Sequence, residues 1–396
     1  RYAQGGGCTT VGVAGHVQSG GFGSFSKRYG TAAGSLLEAE IVTADGTLRR
    51  VNPCRDPELF WGIKGGGGGS LGAVTKLILR THDLPETFGA ALVTVKANSD
   101  AAFRKLIGRF VDHYADTLFN SHWGESVQVR GDNHLQIQMV CQGLDDAAIA
   151  ADWKPLLDWV AASPRDFALD GQPILASLPS RLWWDAEGWS RTGHSPMVPD
   201  ARPGAPARQA WWRGDQEQVG MFLHGYESLW LPAALLEPAS RAALADALMA
   251  GSRHMSVGLH FNKGLAGADP AALERARDTA TNPEALTAFA LAIIATGGGS
   301  RYPGLAKPDT DDAKAARHAG DVDAATAALA PLAPQGGSYV SESNFFNRAW
   351  AKSFWGGNYP RLLAAKRRYD PDGLFFVHHG VGSEDWSADG FDRRST

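Results

Sequence analysis

Hydrophobic and polar residues alternate one by one along several segments in the middle of the chain. Within residues 254–262 every second residue is apolar, from Met255 to Phe261, and the residues between them are polar or small. Residues 134–139 show the same alternation. Because successive side chains of a strand point to opposite faces, these segments predict strands with one apolar side. Such strands are typical of an antiparallel sheet that is covered by helices on one face.

Helices are predicted in the same part of the chain, where apolar residues recur at spacings of three and four. The predicted helices span residues 145–162, 239–250 and 270–279, and an alanine-rich helix includes residues 321–328. Residues 193–213 contain proline, glycine and arginine and predict a long loop, which is either a lid or a passive surface segment.

The first 85 residues are organised differently, because they are dense in glycine. Glycines cluster in residues 5–7, 20–23 and 65–69. Between these clusters the pattern predicts strands at 37–43 and 72–81 and a short helix at 56–64. Such glycine density indicates backbone that needs positive φ or passes close to a ligand. We therefore expect a ligand-binding α+β layer here.

Composition limits the class of partner. The 396 residues carry a formal net charge of −4 without long blocks of one sign, which argues against a nucleic-acid tract or a polybasic membrane patch. A small neutral ligand is the expected partner. The longest apolar stretch, residues 288–296, is too short to cross a bilayer, and no targeting signal is visible. Three scattered cysteines, Cys8, Cys54 and Cys141, are too few for a disulfide framework, and no zinc or other metal site is expected.

One motif carries most of the chemical information. Residues 8–16 read Cys-Thr-Thr-Val-Gly-Val-Ala-Gly-His and are followed by further glycines and by Tyr29-Gly30. A thiol and an imidazole among small residues with free N–H groups suit a large, flat, polar cofactor that the main chain approaches closely. The glycines fit neither the dinucleotide-binding fingerprint nor the phosphate-binding loop of nucleotide hydrolases.

This motif resembles the Cys-x-Thr-Val-Gly-Val-x-Gly-His motif of berberine-bridge-enzyme-like flavoproteins, a branch of the vanillyl-alcohol-oxidase superfamily. Residues 44–69 and 358–375 resemble the segments that follow in the same family. The resemblance implies an α+β fold in which a PCMH-type FAD-binding domain receives an inserted substrate domain. The expected division is the second half of the FAD domain at 1–85, the substrate domain at 86–337, and a C-terminal segment at 338–396 that returns to the FAD domain.

The resemblance also implies FAD that is bonded through Cys8 to the flavin C6, with His16 near the pyrimidine end and ribityl chain. The expected cofactor-binding residues are Cys8, Thr9, Thr10, Val11, Gly12, Val13, Gly15, His16, Gly20, Gly21, Gly23, Tyr29, Gly30, Ile41, Asn358 and Tyr359. In the family, a second link joins the flavin to a histidine in the first half of the FAD domain. The chain begins at Arg1 without that half, so we expect it as a preceding segment or a separate fragment. The 396 residues alone are expected to hold FAD weakly.

Residues 337–342 resemble the family's stretch whose last position holds an acid–base residue, and Glu342 occupies that position. Tyr339 is the alternative base. Residues three apart on a regular strand face opposite sides, so the two cannot both face the flavin unless a bulge intervenes. The expected substrate-binding residues are His260, Asn262, Lys263 and Trp184.

The predicted reaction is a two-electron oxidation. Glu342 or Tyr339 takes a proton from a substrate O–H or N–H while a hydride leaves the adjacent C–H for the flavin, and O₂ is reduced to H₂O₂. The prediction that O₂ is the electron acceptor rests on Val11. In the family, a small apolar residue at this position leaves the reactive face of the flavin accessible to O₂. Two alternatives stay open: a dehydrogenase with another acceptor, and a flavin-binding module without turnover. The family oxidises alkaloids, oligosaccharides, monolignols and polyketide sugars, and the sequence does not choose among them.

Overall fold

The computed structural model of the chain describes residues 1–191, 195–206, 209–216, 220–300 and 311–394. Its strands are β1 (Tyr2–Ala3), β2 (Leu36–Val42), β3 (Leu48–Val51), β4 (Ala73–Leu79), β5 (Thr81–His82), β6 (Thr87–Ala97), β7 (Trp123–Val129), β8 (His134–Gln142), β9 (Phe167–Leu169), β10 (Ile174–Pro179), β11 (Met197–Pro199), β12 (Ala210–Trp212), β13 (Met221–Pro232), β14 (Val257–His260) and β15 (Ala288–Ser300). Its α-helices are α1 (Val13–Gln18), α2 (Ser26–Tyr29), α3 (Pro57–Ile63), α4 (Asp100–His113), α5 (Asp146–Ala161), α6 (Ala186–Arg191), α7 (Arg213–Gln216), α8 (Arg241–Ser252), α9 (Pro270–Arg277), α10 (Glu284–Thr287), α11 (Asp312–Leu329), α12 (Trp350–Trp355) and α13 (Tyr359–Tyr369).

The middle of the chain forms one eight-stranded antiparallel sheet. Its strand order is β10-β6-β8-β7-β14-β15-β13, and β9 pairs with β6. Helices α4, α5, α8 and α11 pack on one face of this sheet and build the largest hydrophobic core. The predicted one-sided antiparallel sheet and the α+β class are therefore confirmed.

The periodicity predictions hold where one side of a strand is buried against helices. Leu135, Ile137 and Met139 of β8 lie in the core, as alternation predicts. The strand predicted at 254–262 is shorter in the structure, because only β14 pairs with its neighbours and a 3-10 turn follows at Phe261–Lys263. Alternation still holds along it, since Val257 and Leu259 are buried in the core.

The glycine-rich N-terminal stretch contains a second sheet of order β3-β2-β4, and the C-terminal segment packs against this stretch. The Trp355 indole donates to the Gly65 carbonyl at 3.0 Å. Lys366 donates to the Ser70 carbonyl at 2.8 Å. These contacts join two segments that are almost 300 residues apart along the chain.

The segment predicted as a long loop at 193–213 contains a short hairpin in its described part, where β11 pairs with β12. Residues 192–194 and 207–208 lie outside the described residues. None of the helices in the described ranges combines the length and the apolar character that crossing a bilayer requires.

Candidate active site

A cavity of about 690 Å³ lies between the glycine-rich stretch and the face of the large sheet that α4 and α5 do not cover. It is lined by Gly6, Gly7, Cys8, Val11, Gly12, Gly15, His16, Ser19, Phe22, Glu125, Tyr226, His260, Asn262, Lys263, Ile293, Tyr339, Ser341 and Glu342. Residues that the sequence nominated for cofactor, substrate and proton transfer therefore meet around one space, although they come from distant parts of the chain.

Close backbone packing fixes the glycine-rich wall of this cavity. Gly21 has φ +72°, and a β-carbon there would lie 2.6 Å from the β-carbon of Ala32. A β-carbon on Gly23 would lie 1.8 Å from the Gly5 carbonyl oxygen, so only glycine fits. Gly20 and Gly21 are buried behind the wall and shape the loop without lining the cavity.

Cys8 is half-buried at the edge of the cavity, beside a carboxylate that the sequence analysis missed. Asp215 Oδ2 accepts a hydrogen bond from the Thr9 N–H at 2.7 Å and another from the Thr9 hydroxyl. Burial, followed by the charge of Asp215, raises the pKa of the Cys8 thiol to about 11. In this arrangement Cys8 is a thiol at neutral pH, whereas attack on a flavin requires the thiolate.

Lys263 and Glu342 form an ion pair in the cavity wall, with both carboxylate oxygens 2.5 Å from Nζ. Tyr339 and Glu342 are not on a regular strand. The Glu342 N–H donates to the Tyr339 carbonyl at 2.8 Å and closes a tight turn. Because of this turn, both side chains line the cavity despite their spacing of three. The Tyr339 hydroxyl accepts from the Gly21 N–H at 3.3 Å, and burial, aided by Glu342, raises the Tyr339 pKa.

The two histidines of the cavity are neutral at physiological pH. Burial, with a smaller contribution from the positive charge of Lys263, lowers the pKa of His260 to about 3. The same two causes lower the pKa of His16. Neutral imidazoles can each donate and accept one hydrogen bond, so both are available to polar atoms of a ligand.

Three ionisable residues at or beside the cavity escaped the sequence analysis: Glu125, Tyr226 and Asp215. Tyr226 lies on β13 and Glu125 on β7, both in the large sheet. Alternation along β13 places Tyr226 on the same side as Trp230, opposite the core residues Leu229 and Leu231, and could have indicated it. No sequence signal pointed to Glu125 or Asp215.

Several expected site residues lie away from the cavity. Ile41 is fully buried in the core of the small sheet, and Tyr29 belongs to a separate aromatic cluster. Asn358 donates to the Thr281 carbonyl at 2.8 Å, and Tyr359 stacks on Trp355. Trp184 is half exposed and packs edge-on against Phe88.

Among the other motif residues, Thr10 and Val13 are exposed and do not line the cavity. Val11 does line it, although its side chain is 52% exposed. Gly30 has φ +83° and packs against α9.

The residues present fit the isoalloxazine part of FAD. His16 Nε2 and Asn262 Oδ1 are buried polar atoms with no hydrogen-bond partner among the described residues. A β-carbon placed on Gly12 or Gly15 would meet no atom within 4 Å, so the backbone here is open to close approach by a flat ring. Unsatisfied buried polar atoms are rare in folded proteins and indicate a missing partner.

Comparison with known proteins agrees with this geometry. Residues 338–382 match the family model described as berberine and berberine-like. The chain is 29% identical to the VAO-type flavoprotein oxidase VAO615 of Thermothelomyces thermophilus, over 97% of this chain and 61% of that protein. The crystal structure of the VAO-type flavoprotein MtVAO615 from Myceliophthora thermophila C1 superposes with a TM-score of 0.72 at 26% identity, covering 97% of this chain and 63% of that one.

A glucooligosaccharide oxidase from Acremonium strictum, described as having a 6-S-cysteinyl, 8α-N1-histidyl FAD, shares the fold with a TM-score of 0.67 at 18% identity. That alignment covers 96% of this chain and 73% of the oxidase. The chain spans about three fifths of the length of the curated relatives it matches, 61% and 60% in two cases.

Proposed function

We propose that the chain is an FAD-dependent oxidase of small neutral molecules, related to the berberine-bridge-enzyme-like flavoproteins of the vanillyl-alcohol-oxidase type that it resembles in sequence and structure. The observation that carries the proposal is the shared cavity, which has Cys8 and His16 in one wall and Lys263, Tyr339 and Glu342 in another. FAD held beside Cys8, His16 and Asn262 would supply hydride acceptance from a substrate C–H and two-electron transfer to O₂.

We propose the 6-S-cysteinyl attachment of FAD for Cys8, in line with its place in the motif and at the cavity edge. His16 and Asn262 are proposed to bind polar atoms of the flavin. The second, histidyl link to FAD stays a prediction, as does the division into segments 1–85, 86–337 and 338–396. The proposal covers the part of the FAD site that the chain itself forms.

Glu342 is the favoured base. Lys263 holds its carboxyl group at the cavity wall by an ion pair with both carboxylate oxygens. Tyr339 is less suited, because its pKa is raised and its hydroxyl already accepts from Gly21. Glu342 would take the proton from a substrate hydroxyl as the hydride leaves the neighbouring carbon. His260, neutral beside it, would orient the same hydroxyl.

The substrate class that fits is an alcohol or a sugar hydroxyl. The wall of the cavity offers several uncharged hydrogen-bonding groups to a hydroxyl-bearing substrate. The glucooligosaccharide oxidase that shares the fold is named for such a substrate. Screening sugars and alcohols for H₂O₂ release tests this class, and reduction of a dye without H₂O₂ would identify a dehydrogenase instead.

The base is tested by anaerobic flavin reduction in stopped flow. Glu342→Gln keeps the side-chain shape but removes basicity, so reduction should slow by roughly 10²–10⁴-fold with flavin content unchanged. Tyr339→Phe is the matched comparison, and it should slow reduction much less. If Glu342→Gln reduced at the wild-type rate while Tyr339→Phe did not, the role of base would pass to Tyr339.

The attachment is tested independently of turnover. Peptide mass spectrometry of denatured protein should find flavin on the peptide that contains Cys8, and Cys8→Ala should lose that adduct. Recovery of an unmodified Cys8 peptide from yellow, FAD-loaded protein would contradict the assignment.

A further inference from the structure

Glu125 occupies a backbone conformation that is unusual for its place in a strand. Regular alternation along β7 would put it on the same face as Trp123 and Val127, which are buried in the helix-covered core. Glu125 instead has φ +67°, in the left-handed region that non-glycine residues rarely adopt. Strained backbone of this kind concentrates at functional sites.

The left-handed conformation turns the Glu125 carboxyl group away from the core and into the cavity. Its Oε1 accepts a hydrogen bond from the Ser24 hydroxyl and lies 3.6 Å from where a β-carbon of Gly7 would be. The neighbouring Gly124 packs so closely on the Ser24 carbonyl that a β-carbon would come within 1.8 Å of its oxygen. The position of Glu125 against the glycine-rich wall is therefore fixed by backbone packing.

Glu125 has no cation of its own. Lys263 is held by both oxygens of Glu342, and no ion pair of the described residues includes Glu125. The charged and titratable groups that face it are Lys263, Glu342, Cys8 and Tyr2. Burial, reinforced by the negative charge of Glu342, raises the pKa of Glu125 against the opposing effects of Ser24 and Lys263.

We propose that Glu125 is a substrate-binding residue of this cavity, whose carboxyl group donates a hydrogen bond to an uncharged hydroxyl or carbonyl oxygen of the substrate. The proposal rests on the proposed function and narrows its substrate class. Ser24 donates to Oε1, which leaves the second carboxyl oxygen to carry the proton that would be donated to the substrate.

The charge balance of the cavity supports an uncharged substrate. The Lys263–Glu342 pair is neutral as a unit, and the low pKa values keep His16 and His260 neutral. A protonated Glu125 adds no charge. An anionic substrate would find no free cation among the described cavity residues, and burying its charge without one is costly.

The first test is infrared difference spectroscopy on the protein as purified, at pH 7. Wild type minus Glu125→Gln should show the C=O band of a protonated carboxyl group, which shifts in D₂O. The band should persist in Glu227→Gln, the matched control, because Glu227 is a half-buried carboxyl group that accepts a hydrogen bond from Asn344 outside the cavity. Carboxylate bands in place of the C=O band would overturn the proposal.

The second test uses the fact that an amide can replace a protonated acid as a donor but cannot replace a carboxylate. Binding of xylobiose, measured by thermal shift, should be nearly unchanged in Glu125→Gln and weakened roughly tenfold in Glu125→Met. Xylobionate, its carboxylate analogue, should bind more weakly than xylobiose to wild type. Equal losses in the glutamine and methionine variants would overturn the proposal.

The two hypotheses fail separately. A protonated Glu125 band in a protein that reduces no flavin would contradict the proposed oxidase function and leave the state of Glu125 established. Normal flavin reduction in a protein whose Glu125 is ionised would contradict the proposal for Glu125 and support the oxidase function. If no sugar binds, the infrared measurement still decides whether the carboxyl group carries the proton that the proposal requires.

Discussion

The buried ammonium group of Lys27 should make the stability of this protein depend on pH between neutral and alkaline values. Lys27, in α2, is 1% exposed, and Nζ donates to the carbonyl oxygens of Gly264, Ala266 and Phe289 at 2.9, 2.9 and 3.0 Å. It thereby joins the N-terminal stretch to the large sheet. Burial lowers its pKa to about 7.

The direction follows from proton binding. An unfolded lysine keeps its proton up to about pH 10.4, whereas folded Lys27 loses it from about pH 7 upward. Between these values the unfolded state binds more protons, so the free energy of unfolding rises with pH. The stabilisation gained in this range is lost again as the pH falls to the folded pKa of about 7. From pH 7 to 9 the gain is about 2 kcal/mol, which for a chain of this length is about 3 °C in Tm.

The assay is thermal unfolding of wild type and Lys27→Met across pH 7 to 9. The free energy of unfolding of wild type, relative to that of Lys27→Met, should rise by about 2 kcal/mol over this pH range. Lys64→Met is the matched control, because Lys64 is also buried but is paired with Asp278 at 2.8 Å. A constant difference between wild type and Lys27→Met would refute the reasoning and show that the three carbonyl groups keep the ammonium charged.

Two further predictions concern the carboxyl groups near the glycine-rich wall. Asp215→Asn removes a negative charge beside Cys8, so in protein prepared without flavin the pKa of the free Cys8 thiol should fall from about 11. Iodoacetamide should then alkylate Cys8 at pH 8 roughly tenfold faster per pKa unit, measured by peptide mass spectrometry. An unchanged rate would mean that burial alone sets the thiol pKa. Burial raises the pKa of Glu125, so folded protein holds a proton that the unfolded chain releases above about pH 4.3, and the contribution of Glu125 to wild-type stability falls with rising pH. Glu125→Gln should gain in Tm relative to wild type from pH 4 to 8, and a parallel decline of both would contradict this.

Sequence patterns predicted the elements whose exposed and buried sides repeat regularly. The observed α5, Asp146–Ala161, lies within one residue of the predicted 145–162, because its apolar face packs on the sheet. The observed α3, Pro57–Ile63, agrees equally well, since proline at its first position and glycine after it mark both ends. In these segments local pattern and tertiary packing require the same conformation.

The site residues that escaped prediction are those where tertiary packing overrides the local pattern. Alternation assigns Glu125 to the core face of β7, and only the left-handed φ, imposed where Gly124 packs on Ser24, turns it to the cavity. Lys27 looks like one cation in a basic run with Arg28. Its partners are carbonyl groups more than 230 residues away, which no local pattern reveals.

The turn between Tyr339 and Glu342 shows the same limit for a motif. The family resemblance nominated both residues, and strand geometry allowed only one of them to face the cavity. The structure has a closed turn at this position, so both do. Motif spacing identified the chemical groups, but the backbone that presents them is set by contacts with β13, where Ser228 accepts the Tyr339 N–H at 3.1 Å.

Lys263 couples the groups of the cavity, so substitutions there cannot be interpreted one at a time. Its ammonium pairs with Glu342 and lowers the pKa values of both His16 and His260. Neutralising Glu342 therefore leaves Lys263 unpaired and free to turn to Glu125, which would then favour the ionised form of that second carboxyl group. Groups in one network show coupling energies that single variants hide. Glu342→Gln therefore changes flavin reduction in two ways, through loss of the base and through ionisation of Glu125. The Glu125→Gln/Glu342→Gln double variant separates the two effects, because in that variant Lys263 has neither carboxylate as a partner.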